Sequence, residues 1–328
     1  MLLTNRTEIL FCYDIKDNNP NGDPLDGNKP RIDEATDTNI VTDVRLKRTV
    51  RDHLRDFRGQ TILVEQIEHE DGSIETGKER AMDFMEEPAE KAAGKSKKEG
   101  VRAVEEIVRR NVLANCVDAR LFGCTLPLDA GSVTLTGPVQ FRMGRSLNKV
   151  ELTRIKGTGA FASQTGNEQN TFREEYVLPY SFIAFYGLAN ENAAKDTGMT
   201  TDDLALLYDG LWNGTRNLIS RSKIGQTPRL LLAVTYKEHN YHIGDLDKAL
   251  ALRPRGEIKE EQFRDVADFS LDAGDLLDLF RGHADRIQSI AVRSDPRLAF
   301  CARERELGSD LGTELHNLGL TVEPFQGL

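Results

Sequence analysis

The chain has 328 residues, of which 39% are hydrophobic and 29% charged, and a net charge of −10. That balance fits a soluble globular protein of one large domain or two with a sizeable core. It excludes a helical membrane span, because no run of about 18 apolar residues occurs. It also argues against indiscriminate nucleic-acid binding, while leaving room for a basic groove on an acidic body, since phosphate contacts act locally.

The N-terminal residues lack the basic start and long apolar centre of a signal peptide. Cys12, Cys116, Cys124 and Cys301 show no Cys-x-x-Cys spacing, so they read as reduced, mostly buried thiols of a cytoplasmic protein. A first strand is expected over residues 8–13. A loop dense in Asn, Asp, Gly and Pro follows, in which Pro20, Pro24 and Pro30 remove donors and Gly22 and Gly27 permit positive φ. A helix is expected over 42–57, capped by Thr42 with Asp43 at its positive end. Leu46, Val50, Leu54 and Phe57 recur at helical spacing as its buried stripe. Gly59 ends it, and residues 61–68 read as the next strand. Residues 69–100 are polar, with a mobile insertion at 86–100. A helix follows over 101–119. Strand character returns at 132–143, residues 144–174 read as irregular, and 171–187 reads as another strand. A second amphipathic helix carries Leu204, Leu207, Leu211 and Leu218, and residues 228–236 form a buried strand. The remainder is acidic and reads as mostly helical, with an aliphatic segment at Leu276, Leu277, Leu279 and Phe280. The order β-α-β, strand material, α-β predicts an α+β fold with a ferredoxin-like, RNA-recognition-like sheet and both helices on one face.

Two features carry chemistry. The loop places Asp17, Asn19, Asn21 and Gly22 at positions 1, 3, 5 and 6 of an EF-hand loop, but position 12 is Asn28 where a bidentate Glu is needed. The loop therefore reads as a turn-rich segment rather than a calcium site, and no metal or other cofactor is expected. The helix is the stronger signal. From Arg45 to Arg58 it has six basic and two acidic residues, in a chain that is acidic overall. A solvated face is the plainer reading of such a run, and anion binding the functional one, since the planar arginine fork suits phosphate.

Five motifs occur in order: NPNGDP (19–24), PRID (30–33), VTDVRLKRTVR (41–51), DARLFG (118–123) and TGPVQF (136–141). With them the chain resembles the backbone (Cas-seven) subunits of type I CRISPR Cascade complexes, most like type I-B and close to type I-C. The resemblance covers residues 5 to about 236 and is weakest in the acidic C-terminal part. It implies a non-enzymatic subunit for antiviral defence that polymerises head to tail along a CRISPR guide RNA. Target DNA would pair with the guide in interrupted steps. Further partners would be a Cas-five-like end subunit, a large subunit and a recruited helicase-nuclease. It also implies one domain with insertions: a palm over about 5–68, 131–143 and 175–240, helical fingers over 69–130, a protruding thumb over 144–174, and a C-terminal part over 243–328. Carried over by motif, Lys47 and Arg51 would hold the guide backbone, with Arg45, Arg48, Arg31 and Lys29 beside them. In the thumb, Phe161 would wedge against an unstacked base, with Arg154, Lys156 and Arg173 on phosphates; packing of Phe161 on the palm is the plainer reading.

A second class stays open. Relatives in type III complexes cleave RNA with an aspartate of the loop after strand one, and this chain has Asp14, Asp17, Asp23, Asp26 and Asp33 there. No HExxH, Walker or GxSxG motif accompanies them, and the six histidines are scattered.

Overall fold

The computed structural model describes residues 1–85, 97–128, 131–162, 170–325 and 327–328, with the backbone alone for 97–100, 158–162 and 170–173. Its first strand, β1 (Thr7–Asn18), lies at the centre of the main sheet and is buried over most of its length. Two short strand pairs follow in the loop, β2 (Gly22–Asp23) with β3 (Lys29–Pro30), and β4 (Ile32–Asp33) with β5 (Thr38–Val41). Next come α1 (Asp43–Arg58), α2 (Gly77–Met82), α3 (Lys97–Asn115) and α4 (Val117–Phe122). Then β6 (Gly123–Leu128) pairs with β7 (Gly131–Thr136), and β8 (Val139–Phe141), β9 (Gly144–Lys149) and β10 (Thr153–Ala162) lead to the long β11 (Asn170–Ala189). Helices α5 (Glu191–Thr197) and α6 (Thr201–Asp209) precede β12 (Thr227–Tyr236). The C-terminal part contains β13 (Ala251–Pro254), β14 (Phe269–Asp272), α7 (Gly274–Gly282), β15 (Ile287–Ser294), β16 (Phe300–Ala302), β17 (Arg305–Gly308), α8 (Leu311–Asn317) and β18 (Val322–Glu323).

The main sheet runs β18-β15-β12-β1-β11-β9-β5-β4, with β1 antiparallel to both β11 and β12. Alternation along β1 sends Ile9, Phe11, Tyr13 and Ile15 to one face and Leu10 and Cys12 to the other. The first face packs on Leu46, Val50 and Leu54 of α1 and on Leu204, Leu207 and Leu211. The opposite face packs on Leu252, Phe263, Phe269, Leu276, Phe280 and Phe300, all from the C-terminal part. Beyond α6 the helix continues as a π-turn over Gly210–Gly214. A Cβ on Gly210 would lie 2.7 Å from Val50 Cγ1, and one on Gly214 2.9 Å from His53 Cβ, so two glycines let this helix approach α1 closely.

Four expectations need correction. Residues 61–68 are not a strand. Thr61 and Glu68 make isolated bridges, and the buried Asp118 carboxylate takes the N–H groups of Leu63 and Val64 at 2.7 and 3.1 Å. A side chain thus supplies the acceptors a neighbouring strand would have given. Residues 144–174 contain strands β9 and β10 and the start of β11, and β10 pairs back on β11 from Thr153↔Val177 to Ala162↔Asn170. The C-terminal part holds six strands against two α-helices among the described residues, because its apolar runs are short, separated by turns, and aimed at the sheet face. Phe57 does not join the buried stripe; it is exposed and stacks on His53 at 5.2 Å between ring centres.

Asp118, from DARLFG, also accepts from Arg51 Nε at 2.8 Å. One carboxylate therefore joins α1, the 62–64 segment and α4. Asp118→Ala would strand a largely buried guanidinium and two backbone donors. We expect a loss of about 3–5 kcal/mol in denaturant unfolding, the range for breaking a buried pair from one side, against little change for the exposed Asp71→Ala.

Candidate nucleic-acid interface

The polar loop after β1 is held rigid by its own amides. Asn21 Oδ1 accepts from both the N–H and the hydroxyl of Thr42 at 2.9 Å, and the Thr42 hydroxyl accepts from Arg45 N–H at 3.2 Å to cap α1. Asn19 Nδ2 donates to Asn28 O at 2.6 Å. Two of the EF-hand-like side chains, Asn19 and Asn21, are thus spent on backbone and cap, and no cluster of three potential metal-ligating side chains occurs among the described residues. The loop aspartates are similarly engaged. Asp23 pairs with Arg31 at 2.7 Å, Asp26 with Lys29 at 2.7 Å and Asp33 with Arg145 at 2.8 Å. Asp14 is buried between Tyr180 and Arg229, at 2.7 and 2.8 Å. Asp17 is exposed and makes no ion pair among the described residues, and Asp26 is exposed within its pair with Lys29.

The basic face of α1 is less free than its composition implies. Lys47 pairs with Asp43 at 3.0 Å, Arg48 with Asp52 at 3.2 Å and Arg51 with Asp118 at 2.8 Å. Arg55 pairs with Asp56 at 2.7 Å and Arg58 with Asp209 at 2.5 Å. Lys47 and Arg51 also lie over the Phe122 ring, at 5.7 and 5.2 Å. Counting charges along the helix could not reveal Asp118 and Asp209, which come from elsewhere in the chain. Arg48 is the most open of these cations, with 57% of its side chain exposed.

Arg45 differs. Its guanidinium reaches only the Thr49 hydroxyl, at 3.1 Å, and pairs directly with no carboxylate among the described residues. Burial lowers its pKa. Close to it lies Lys223, in the loop before β12, which also has no carboxylate partner among the described residues and donates to the carbonyl of Asn19. In the same contact Asn18 donates to the carbonyl of Ile224. Burial, and then the charge of Arg45, lower the Lys223 ammonium to about 8. Two half-buried cations thus meet where β1, α1 and the 220–226 loop converge. Sequence reasoning missed Lys223, although RNLISRSKIGQTP carries three basic residues and no acidic one in a Gly- and Ser-containing stretch.

At the second predicted cluster, Lys29 Nζ sits 5.4 Å from the centre of the Tyr176 ring. Arg154 pairs with Glu174 at 2.5 Å, and the exposed Lys156 stands opposite Glu174 in the β10–β11 register. The side chains of Phe161 and Arg173 lie outside the described residues. Asp17, Asn19, Asn28, Ile155, Glu174 and Tyr176 line a cleft of about 520 Å³ between the loop and the base of this hairpin, and none of the cations predicted from the sequence is among its lining residues.

A family model described as CRISPR-associated protein Cas7 matches residues 5–274. A CRISPR-associated protein Cas7 of Haloferax volcanii is 33% identical over 335 residues, covering 94% of this chain and 93% of the relative. A chain of a solved CRISPR RNA-guided surveillance complex in a pre-nicking state shares the fold, with a TM-score of 0.53 at 12% identity, over 96% of this chain and 99% of that one. No helix of the described residues is long and apolar enough to cross a membrane.

The depressed Lys223 pKa fixes a pH dependence. Below about pH 8 the lysine is charged in both folded and unfolded states, and the folded state carries the full penalty of the shift. Between about pH 8 and about 10.5 the folded state sheds the proton first, so the unfolded state binds more protons and stability rises with pH. Lys223→Met should remove that rise in denaturant titrations. An anion held by this lysine would need its charged form, so any affinity it contributes should fall above about pH 8 and, in Lys223→Arg, hold through the same range.

Proposed function

Because the chain belongs to the Cas7 family of CRISPR-associated proteins, we propose that it is a non-catalytic guide-RNA-binding backbone subunit of a surveillance complex of the Cascade kind, type I-B or close to it. The observation that carries the reading is the Arg45–Lys223 pair. Two cations are brought together partly out of water with no carboxylate between them, an arrangement that costs stability unless an anion joins it. A phosphodiester supplies that anion.

In this reading the antiparallel core β12-β1-β11-β9 with α1 and α6 on one face is the RNA-recognition-like palm, over about 5–68, 131–143 and 175–240. Residues 69–130 are the fingers, 144–174 the thumb, and 243–328 a cover for the opposite face. Arg45 and Lys223 contact the guide backbone first. Arg48 and Lys29 add charge by swinging away from their carboxylates, a small cost for pairs near the surface, and Lys47 and Arg31 add theirs from more enclosed pairs. Arg51 serves mainly to position α1 through Asp118. Phe161, Arg154, Lys156 and Arg173 act on the guide from the thumb. Base pairing supplies sequence specificity, as in RNA-guided systems generally, and the complex forms an R-loop on target DNA with copies of this chain, end and large subunits, and a recruited helicase-nuclease. The aspartate-nuclease alternative draws no support from the loop, whose carboxylates are mostly tied to their own cations or buried.

Arg45→Ala with Lys223→Ala should weaken single-stranded RNA binding about tenfold or more and flatten the salt dependence by about 1.4 in log–log slope, two contacts at ~0.7 each. Co-expression with a CRISPR array and partner subunits should yield a high-mass particle holding RNA of one discrete length. Protein without nucleic acid, with and without the array, overturns the reading. Phe161→Ala should leave guide binding intact and weaken target pairing; unchanged target affinity would assign Phe161 to packing.

A further inference from the structure

A second cavity opens at the same end of the sheet, on the far side of the 220–226 loop. It measures about 500 Å³ and is lined by Trp212, Arg216, Gln226, Arg293, Asp295 and Arg297, among others. Three cations therefore face one carboxylate, and that carboxylate is already shared: Asp295 accepts from Arg297 at 2.7 Å and pairs with the buried Arg229 at 3.2 Å. Arg216 is exposed and has no carboxylate partner among the described residues, and neither has Arg293. The Arg293 guanidinium lies over the indole of Trp212, 4.7 Å from the ring centre. Gln226 is only 6% exposed, yet its Nε2 has no hydrogen-bond partner. An enclosed amide donor left unpartnered in a residue that lines a cavity is a costly feature that a hydrogen-bonding ligand reached by a small side-chain rotation relieves.

We propose that this cavity is a second subsite that holds one nucleotide of a single-stranded RNA. Arg216 binds a phosphate, the base stacks on the face of Arg293 turned away from Trp212, and the Gln226 amide donates to a polar atom of the nucleotide. Planar guanidinium groups serve both roles, as phosphate forks and as stacking platforms. The proposal deepens the guide-RNA reading and rests on it. The 220–226 loop places Lys223 against Asn19 on one side and Gln226 in the cavity on the other, so one strand crossing that loop would occupy both sites in succession.

Trp212 is the single tryptophan of the chain, so its fluorescence reports on the cavity directly. The full-length protein is titrated with a dye-labelled oligouridylate, following dye anisotropy and, in parallel with an unlabelled strand, Trp212 emission. The expected result is a change in Trp212 emission that saturates with the anisotropy curve. Arg216→Ala should weaken binding about threefold to tenfold and flatten the log–log salt slope by about 0.7, one phosphate contact on a single strand. Arg216 is exposed and leaves the Arg293–Trp212 stack intact, so this variant tests the site without disturbing its floor. Arg293→Ala should weaken binding further and abolish the emission change.

Unchanged affinity and silent Trp212 emission in Arg216→Ala and Arg293→Ala, with binding lost in Arg45→Ala/Lys223→Ala, overturns the second subsite and leaves the guide reading standing. Wild-type protein that binds no oligouridylate overturns both. Normal RNA binding by the Arg216 and Arg293 variants together with lost self-association in sedimentation assigns the cavity to a protein contact and also overturns the proposal.

Discussion

Burial of β1 on both faces is the constraint from which the rest of the molecule follows. A central strand with apolar residues pointing both ways needs two covers. Helices α1 and α6 supply one and the C-terminal part supplies the other. Two of the strand's three carboxylates are buried, and each is bound from more than one side. Glu8 accepts from the Tyr186 and Tyr236 hydroxyls and from the N–H groups of Ile243 and Gly244, at 2.9 and 2.8 Å for the backbone donors. Asp14 is held by Tyr180 and Arg229. Buried charge paired in this way adds little net stability but penalises any register that leaves it unpaired. The strand's acids therefore fix where β11, β12 and the start of the C-terminal cover sit. That fixed frame brings the end of β1, the cap of α1 and the loop before β12 together.

Neutralisation is the rule elsewhere in the fold, which gives the exceptions their meaning. Along α1, five of six cations meet a carboxylate, some from the helix itself and others from Asp118 and Asp209 far along the chain. The more exposed of them, such as Arg48–Asp52 and Arg55–Asp56, contribute little to stability and exchange partners cheaply. Arg45 and Lys223 are another matter. Each is partly withdrawn from water, and the depression of the Lys223 pKa is the energetic trace of that confinement beside a like charge.

The legible parts of the sequence were those set by local periodicity. The α1 stripe of Leu46, Val50 and Leu54, the Thr42 cap and the apolar runs of β1 and β12 all follow from spacing and composition. The illegible parts depend on long-range partners. Residues 61–68 look like a strand because Ile62 and Leu63 are buried, yet their backbone donors go to a side chain 55 residues further on. The C-terminal part looked helical because its polar composition hides six short strands. Two of them, β15 and β18, extend the main sheet beside β12, and the other four form a separate sheet, so their pattern makes sense only with partners far along the chain. At the site, the loop and the helix start were readable, whereas Lys223 was not. Its importance lies in proximity to Arg45, which spacing cannot report across so many residues.

The net charge of −10 fits this arrangement. Fields of exposed charges fade over about 8 Å at physiological ionic strength, so an acidic body does not cancel cations held in a cleft by the fold. It does repel polyanions from the remaining surface. Selectivity for an anion gains from that contrast: attraction is strongest where cations lack carboxylates, while most cations of α1 are paired. Removing an acid from the body would then add a nonspecific site rather than strengthen the specific one. The acidic cover and the uncompensated cations are in this sense two parts of one electrostatic device, both positioned by the same doubly buried strand.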